Sequence, residues 1–403
     1  VTKRLKKQAK PVVFLGIVIG CALIVSGVLG LSGHLNNQEA IKSKKKNQVS
    51  ETKTNSSSQN KSDQKMPKMT LEQKVGQLFM TGMPANNYDQ ATFDAIEKYQ
   101  VGSIILTGRS NLSIPEMKVI TDKLQGLAPA NRRLLISCDQ EGGNVQVLQG
   151  TGFSEMPNGL IQGSWAPEKL QEEAKNWGSE LSTAGINFDL APVADQVLSA
   201  DFAPQNAPIG YWSRQYAYDK ANIVSHADAF SKGMKSAGVL TTAKHFPGLG
   251  AVTGNTDISA GVRDSQTNPK SESVQIFKEL ISSGVPSIMT ATAIYDQIDP
   301  ELPGAFSPKM VDGLLRNQLG FDGLVITDDL SNAVQVQAWS PGQRAVLALA
   351  AGNDLVLANE PTQIPEMISE VLQKAKSDQG FAEKINQASS RVMKVKEQMK
   401  LVE

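Results

Sequence analysis

Residues Ser307–Asp329 read SPKMVDGLLRNQLGFDGLVITDD. Ser307-Pro308 can start a helix, since the fixed φ of proline suits a first turn. Met310, Val311, Leu314, Leu315 and Leu319 then share one face, and Gly320 can end it. An almost wholly apolar run follows, Gly323–Asp328, ending in one carboxylate with a second next to it at Asp329. The unit is a helix, then a strand covered on both faces, then polar chemistry at the strand's C-terminal end.

Working outward, seven more runs have the same character: Gln77–Gly82, Gly102–Thr107, Leu134–Asp139, Gly185–Pro192, Gly238–Lys244, Pro286–Ala291 and Asp354–Ala358. Amphipathic stretches separate them. Eight strand–helix alternations in about 335 residues predict an α/β fold, a closed (β/α)8 TIM barrel. An open doubly wound sheet is the alternative, but no GxGxxG follows an early strand. A barrel presents its chemistry on the loops after its strands. Polar residues gather there: Asp139-Gln140-Glu141 after the third strand, Asp189 at the fourth, Lys244-His245 at the fifth and Asp328-Asp329 at the seventh.

Charge divides the chain. Lys+Arg and Asp+Glu both total 40, yet residues through Lys68 hold 13 basic and 3 acidic side chains, leaving 27 and 37 beyond. An acidic body repels a phosphate backbone, so nucleic-acid binding is not expected. Cys21 and Cys138 are the only cysteines and His34, His226 and His245 the only histidines. No metal cluster and no cofactor are expected from such a set.

At the amino-terminal end, Lys3, Arg4, Lys6, Lys7 and Lys10 precede an uncharged run, Val12–Leu31. Twenty helical residues span roughly 30 Å, a bilayer's hydrocarbon core. The basic cluster predicts a cytoplasmic tail with all that follows outside the cell. A lipoprotein with Cys21 as lipidated terminus and a cleaved secretory signal are the alternatives. Residues 34–68 have almost no large apolar side chains and predict a disordered tether. Three segments are therefore expected: tail and anchor (1–33), linker (34–68) and barrel (69–403).

Several segments resemble glycoside hydrolase family 3, in its single-domain β-N-acetylhexosaminidase branch: Met69–Gly82 (MTLEQKVGQLFMTG), Asp139–Gly143 (DQEGG), Asn187–Asp195 (NFDLAPVAD), Lys244–Gly250 (KHFPGLG), Gly320–Asn332 (GFDGLVITDDLSN) and, more weakly, Ala350–Leu357. The resemblance implies a retaining double displacement with Asp328 as nucleophile. Asp329 competes for that role, and Asp328 as a mere helix cap is the bland alternative. It also implies sugar-hydroxyl ligands at Asp139, Lys244 and His245. Ile209–Tyr216 (IGYWSRQY) resembles the family's IGxRSF loop with two residues inserted, which makes Arg214 the fourth ligand.

The pattern is broken where the branch carries its acid/base. KHFPGHG with a following Asp-Ser-His triplet becomes KHFPGLG with Asn255-Thr256-Asp257, so Leu249 and Asp257 stand where histidines are usual. Asn144–Val147 replaces RVxR, and Thr292 stands for a histidine after the sixth strand. Asp257 can donate the proton if burial raises its pKa. Glu141 or Asp329 could donate instead, or acid catalysis is lost and a glycan-binding barrel remains. The expected activity is a membrane-anchored, monomeric β-N-acetylhexosaminidase releasing N-acetylglucosamine from cell-wall-derived glycans, with a β-glycosidase of other sugar specificity as a further alternative.

Overall fold

The structure, a computed structural model, describes residues Lys68–Val402. The expected anchor, Cys21 and nearly all of the expected linker lie outside the described residues. Among the described residues no helix is long and apolar enough to cross a membrane.

Eight parallel strands carry the fold: β1 Phe79–Pro84, β2 Ser103–Thr107, β3 Leu135–Cys138, β4 Phe188–Asp189, β5 Leu240–Thr241 continuing as Ala243–Phe246, β6 Ser287–Thr290, β7 Leu324–Thr327 and β8 Val356–Ala358. Ladders run β8–β1–β2–β3–β4–β5 and β5–β6–β7. The ring closes between β7 and β8 through the parallel bridge Ile326↔Leu355 and the bonds Asp354 N→Val325 O (2.8 Å) and Thr327 N→Leu355 O (3.0 Å). All eight expected runs contain a strand. The fourth is much shorter than expected, only Phe188–Asp189, and its pairing with β5 resumes at the bridge Val193↔Lys244. The neighbouring β5 breaks at Thr242, whose amide is shared by Asp189 O and Ala191 O.

Helices follow the strands on the outside, several with the local signals expected of them. Ser113 and Glu116 form a capping box before Ile114–Leu127, and Ser340 with Gln343 does the same before Pro341–Ala351. The helix over Lys309–Gln318 departs from expectation in its winding. Its bonds Gly313 N→Pro308 O and Leu319 N→Leu314 O span five residues. The apolar spacing fits this wider turn: Met310 to Leu315 and Leu314 to Leu319 are each five apart. At the N-terminal face, Lys396 of the last helix (Gln379–Gln398) is fully buried and donates to Gln77 Oε1 (2.5 Å) and Gly102 O (2.7 Å).

Two layers inside the barrel place the site. Ile105, Leu190, Met289 and Leu357 belong to, or directly follow, β2, β4, β6 and β8, and all four border the cavity at the C-terminal end. This is the even-strand layer of a barrel interior. Asp139, Lys244 and Asp328 come from the ends of β3, β5 and β7 and line the same cavity. The even strands thus supply an apolar floor and the odd strands the charge.

Candidate active site

The cavity at the C-terminal face measures about 550 Å³ and is lined by all six residues expected from the sequence: Asp139, Arg214, Lys244, His245, Asp257 and Asp328. They come from loops far apart in the chain, and the barrel brings them together.

The bottom is a network of opposite charges. Lys244 Nζ donates to Asp139 Oδ1 (2.6 Å) and lies 2.6 Å from Glu141 Oε1. Arg214 grips Glu141 with two parallel bonds, Nε→Oε2 (2.8 Å) and Nη2→Oε1 (2.7 Å), and spends Nη1 on Pro208 O (2.8 Å). Burial alone would raise the Glu141 pKa. The Arg214 and Lys244 cations outweigh burial and hold it at about 2. Of five guanidinium N–H groups Arg214 thus keeps two unspent, and Lys244 keeps one of three. Those three donors are what the network can offer to sugar hydroxyls. Glu141 reaches the network because Gly142 and Gly143 both take positive φ (100° and 57°), and a side chain at Gly142 would meet Pro157 O at 2.2 Å.

His245 is fixed from behind. Its Nδ1 pairs with Asp195 Oδ2 (2.7 Å), while Asp195 Oδ1 accepts the amides of His245 (3.2 Å) and Leu249 (2.7 Å). An imidazole donating Nδ1–H to a carboxylate leaves Nε2 for the cavity. The Lys244–His245 peptide is cis, and both side chains line the cavity although they are sequence neighbours.

The two aspartates after β7 have separate tasks. Asp329 accepts Ser331 N (2.9 Å), Ser331 Oγ (2.7 Å), Asn332 N (3.1 Å) and Asn359 N (3.0 Å), so its carboxylate is committed to shaping the loop. Among the described residues Asp328 accepts only the amide of Asp329 (2.9 Å). Strand alternation does not separate the pair, since both border the cavity. Hydrogen bonding does. Asp328 caps no helix either: the next α-helix begins at Pro341 under Ser340. The Thr327 hydroxyl accepts Leu357 N (3.0 Å) and so serves the β7–β8 closure. Burial raises the Asp328 pKa above the usual carboxylate range, opposed by His245, the Asp329 amide and Lys244.

Asp257 sits on the long loop after β5. Asn255 Oδ1 accepts its amide (2.9 Å), and the loop is docked on the segment after β7 by Val334 N→Asp257 O and Gln335 N→Thr256 O (both 3.1 Å). Gln335 adds a two-way bond with the Val262 backbone, Val262 N→Oε1 (2.9 Å) and Nε2→Val262 O (3.0 Å). The loop is closed over the cavity. Asp257 is exposed overall, yet it borders the cavity, where partial loss of water to the crowding walls, then the Asp328 charge, push its pKa up to about 6. Glu141, held at about 2 by its two cations, lacks that protonated form near neutrality, and the Asp329 carboxylate is committed to the loop donors of Ser331, Asn332 and Asn359. Of the three candidate proton donors, Asp257 alone has the environment for the task.

Glu141→Gln tests the network. It leaves the buried Arg214 and Lys244 cations short of a counter-charge and is expected to destabilise the fold by about 3 kcal/mol at pH 7. The Glu141 carboxyl is depressed in the folded state, from 4.5 to about 2. Its contribution is therefore fully present above 4.5 and lost as pH falls toward 2. Denaturant unfolding from pH 7 to 2 should show this loss in the wild type and not in Glu141→Gln; parallel curves would refute the assignment.

With this geometry in view, residues 70–395 match the glycosyl hydrolase family 3 N-terminal domain. The chain belongs to glycosyl hydrolase family 3. It is similar to a β-hexosaminidase of Alkalilimnicola ehrlichii, 34% identical over 281 residues (67% of this chain and 77% of the relative), and to one of Hydrogenovibrio crunogenus, 31% identical over 316 residues (75% and 85%). The crystal structure of β-N-acetylhexosaminidase from Beutenbergia cavernae superposes with a TM-score of 0.81 at 49% identity, over 82% of this chain and 99% of that one.

Within this family 3 frame the departures have visible consequences. Leu249, where the branch carries histidine, is buried in the cavity wall, with its carbonyl accepting Asn206 Nδ2 (2.8 Å). Asn255, where an aspartate is usual, holds the backbone of Asp257 instead of a histidine ring. His226 cannot substitute: it is buried in the helix Lys220–Ser236 beside Trp165 O (2.9 Å) and Asn222 O (2.7 Å). Sequence reasoning missed Asp195 as the partner of His245 and Glu141 as the anchor of Arg214. Both lie inside quoted motifs, NFDLAPVAD and DQEGG, but nothing local reveals which cation each one meets.

Proposed function

We propose that this chain is a retaining β-N-acetylhexosaminidase that removes terminal N-acetylglucosamine from cell-wall-derived glycans. The observation that carries this reading is the pair of unlike carboxylates facing one cavity. Asp257, with a pKa of about 6, holds a proton into the near-neutral range, while Asp328 is unencumbered and flanked by Lys244 and His245. Asp328 attacks the anomeric carbon as Asp257 protonates the departing glycosidic oxygen, giving a glycosyl-aspartate and a free leaving group. Asp257, now ionised, takes a proton from water as that water attacks the same carbon, releasing Asp328 and a β-configured sugar. Asp139, Lys244, Arg214 and His245 hold the sugar hydroxyls. The names of the similar proteins support the choice of N-acetylhexosaminide as substrate.

The test compares 4-nitrophenyl N-acetyl-β-glucosaminide with the matching β-glucoside and follows the first-formed anomer by NMR. The expected result is cleavage of the first far faster than the second, with the β anomer appearing first. An α product would exclude the double displacement, and equal rates would exclude the assigned sugar.

The same proposal places the enzyme on the outer side of a cell membrane as a monomer, held by Val12–Leu31 with residues 34–68 as tether. The support is the length of the uncharged run, the basic cluster before it and the polar tract behind. On fractionation of producing cells, the full chain should stay in membranes after alkaline carbonate washing. Deletion of Val12–Leu31 should release it; wild-type activity recovered wholly in the soluble fraction would overturn the anchor.

A further inference from the structure

Exposure is graded along the cavity. Lys244 and His245 at the deep end are 2% and 5% exposed, whereas Trp212 on the wall is 43% exposed and its neighbour Tyr211 62%. The two rings meet edge to face, with centroids 4.9 Å apart and planes at 82°. Such a contact fixes the orientation of the pair while leaving aromatic face free.

Both residues sit in a short 3-10 turn, Gly210–Trp212, ended by Ser213 in the left-handed region (φ 55°, ψ 40°). A non-glycine residue there costs free energy that the surroundings must offset. What the bend achieves is a division of labour. Arg214 runs inward to Glu141, and Trp212 remains at the mouth. This turn is also where the chain is two residues longer than the IGxRSF pattern. The docked loops add Ile258 (76% exposed), beside Asp257, and Val334, whose amide holds Asp257. Four of the eight large apolar side chains exposed among the described residues therefore lie on segments bordering this one opening. Scattered apolar exposure needs no explanation, but a cluster at a ligand cavity does.

We propose that Tyr211 and Trp212 form a leaving-group subsite that stacks on the pyranose ring joined through the scissile oxygen, selecting oligosaccharides over glycosides with small aglycones. This rests on the reading of Asp328 and Asp257 as the reacting carboxylates. The barrel strands close the deep end, so a terminal sugar bound at Lys244 and Asp139 must send its leaving group outward, past Asp257 and toward the indole. A pyranose presents C–H groups on its faces and hydroxyls round its edge. A flat indole at an open mouth removes the faces from water and leaves the edge hydrated.

The experiment uses the full chain, wild type and Trp212→Ala, with di-N-acetylchitobiose and methyl N-acetyl-β-glucosaminide as substrates. Trp212→Ala should lower kcat/KM for the disaccharide about tenfold, as loss of one ring stack implies. It should change the methyl glycoside less than about twofold, and Trp212→Phe should restore most of the difference. An equal loss on both substrates, or no loss on either, overturns the proposal. A binding arm in the Asp328→Asn background separates this from failure of the hydrolase reading. There the disaccharide should bind about tenfold more tightly than N-acetylglucosamine, and Trp212→Ala should erase that advantage. If the wild type cleaves no N-acetylglucosaminide, the hydrolase reading falls and the binding ratio alone decides the subsite; a ratio indifferent to Trp212 defeats it.

Discussion

Replacing Asp328 with alanine is expected to lower kcat/KM on every β-N-acetylglucosaminide by about 10⁴–10⁶-fold, the usual cost of deleting a covalent nucleophile. The protein should nonetheless remain folded. A buried carboxyl whose pKa is raised costs folding stability at neutral pH, so its removal leaves Tm unchanged or higher. That combination, lost activity with retained stability, distinguishes a nucleophile from a structural aspartate. Removal of the carboxylate also opens space beneath the anomeric carbon for a small anion. Azide should therefore restore part of the rate with activated substrates and yield the α-glycosyl azide, since it enters from the face Asp328 occupied. A variant within tenfold of wild type, or a β-azide product, would remove Asp328 from the mechanism.

Asp257→Ala is the second large effect, and it should depend on the leaving group. General acid help contributes about 10²–10⁴ in rate. The variant should lose that much on alkyl or sugar leaving groups, which depart poorly without a proton, and far less on 4-nitrophenyl or dinitrophenyl groups. The pH profile supplies an independent readout. In the proposed mechanism, productive enzyme has Asp257 protonated and Asp328 ionised. As pH rises through about 6, Asp257 loses its proton and kcat/KM for poor leaving groups falls; at lower pH, protonation of Asp328 removes the nucleophile. The result is a bell whose basic limb reports the acid. In Asp257→Ala that basic limb should vanish while the acidic limb persists. Equal losses on good and poor leaving groups, or a basic limb unchanged in the variant, would exclude Asp257 as proton donor.

The substitution of aspartate for a histidine in this loop has a physical logic. Histidine has an unperturbed pKa near 6.5, whereas a solvated aspartate titrates near 3.9. Partial desolvation at the cavity wall and repulsion by Asp328 move Asp257 up to about 6, so in the proposed mechanism a different side chain would work in a similar range. The docking of the loop by Val334 and Gln335 holds Asp257 at the cavity that Asp328 also lines. Asn255 accepts the Asp257 amide and so serves the loop backbone.

Strand–helix alternation, the family and six of the residues that line the cavity were legible in the sequence, because periodicity, turn signals and short motifs are local properties of the chain. Its apolar runs located all eight strands, but β4 is only Phe188–Asp189 and β5 is broken at Thr242, since ladder pairing depends on a neighbour's free carbonyls and amides. Which charge meets which was settled by the folded arrangement alone. Glu141 could be a proton donor on composition alone; Arg214, 73 residues on, and Lys244 make it a fixed anion. Asp328 and Asp329 are adjacent and alike in sequence, and are told apart by the donors that fold back onto Asp329 from Ser331, Asn332 and Asn359. A pKa is set by water excluded and charges gathered in three dimensions, so the raised carboxyl of Asp257 exists only once the loop after β5 lies against the loop after β7.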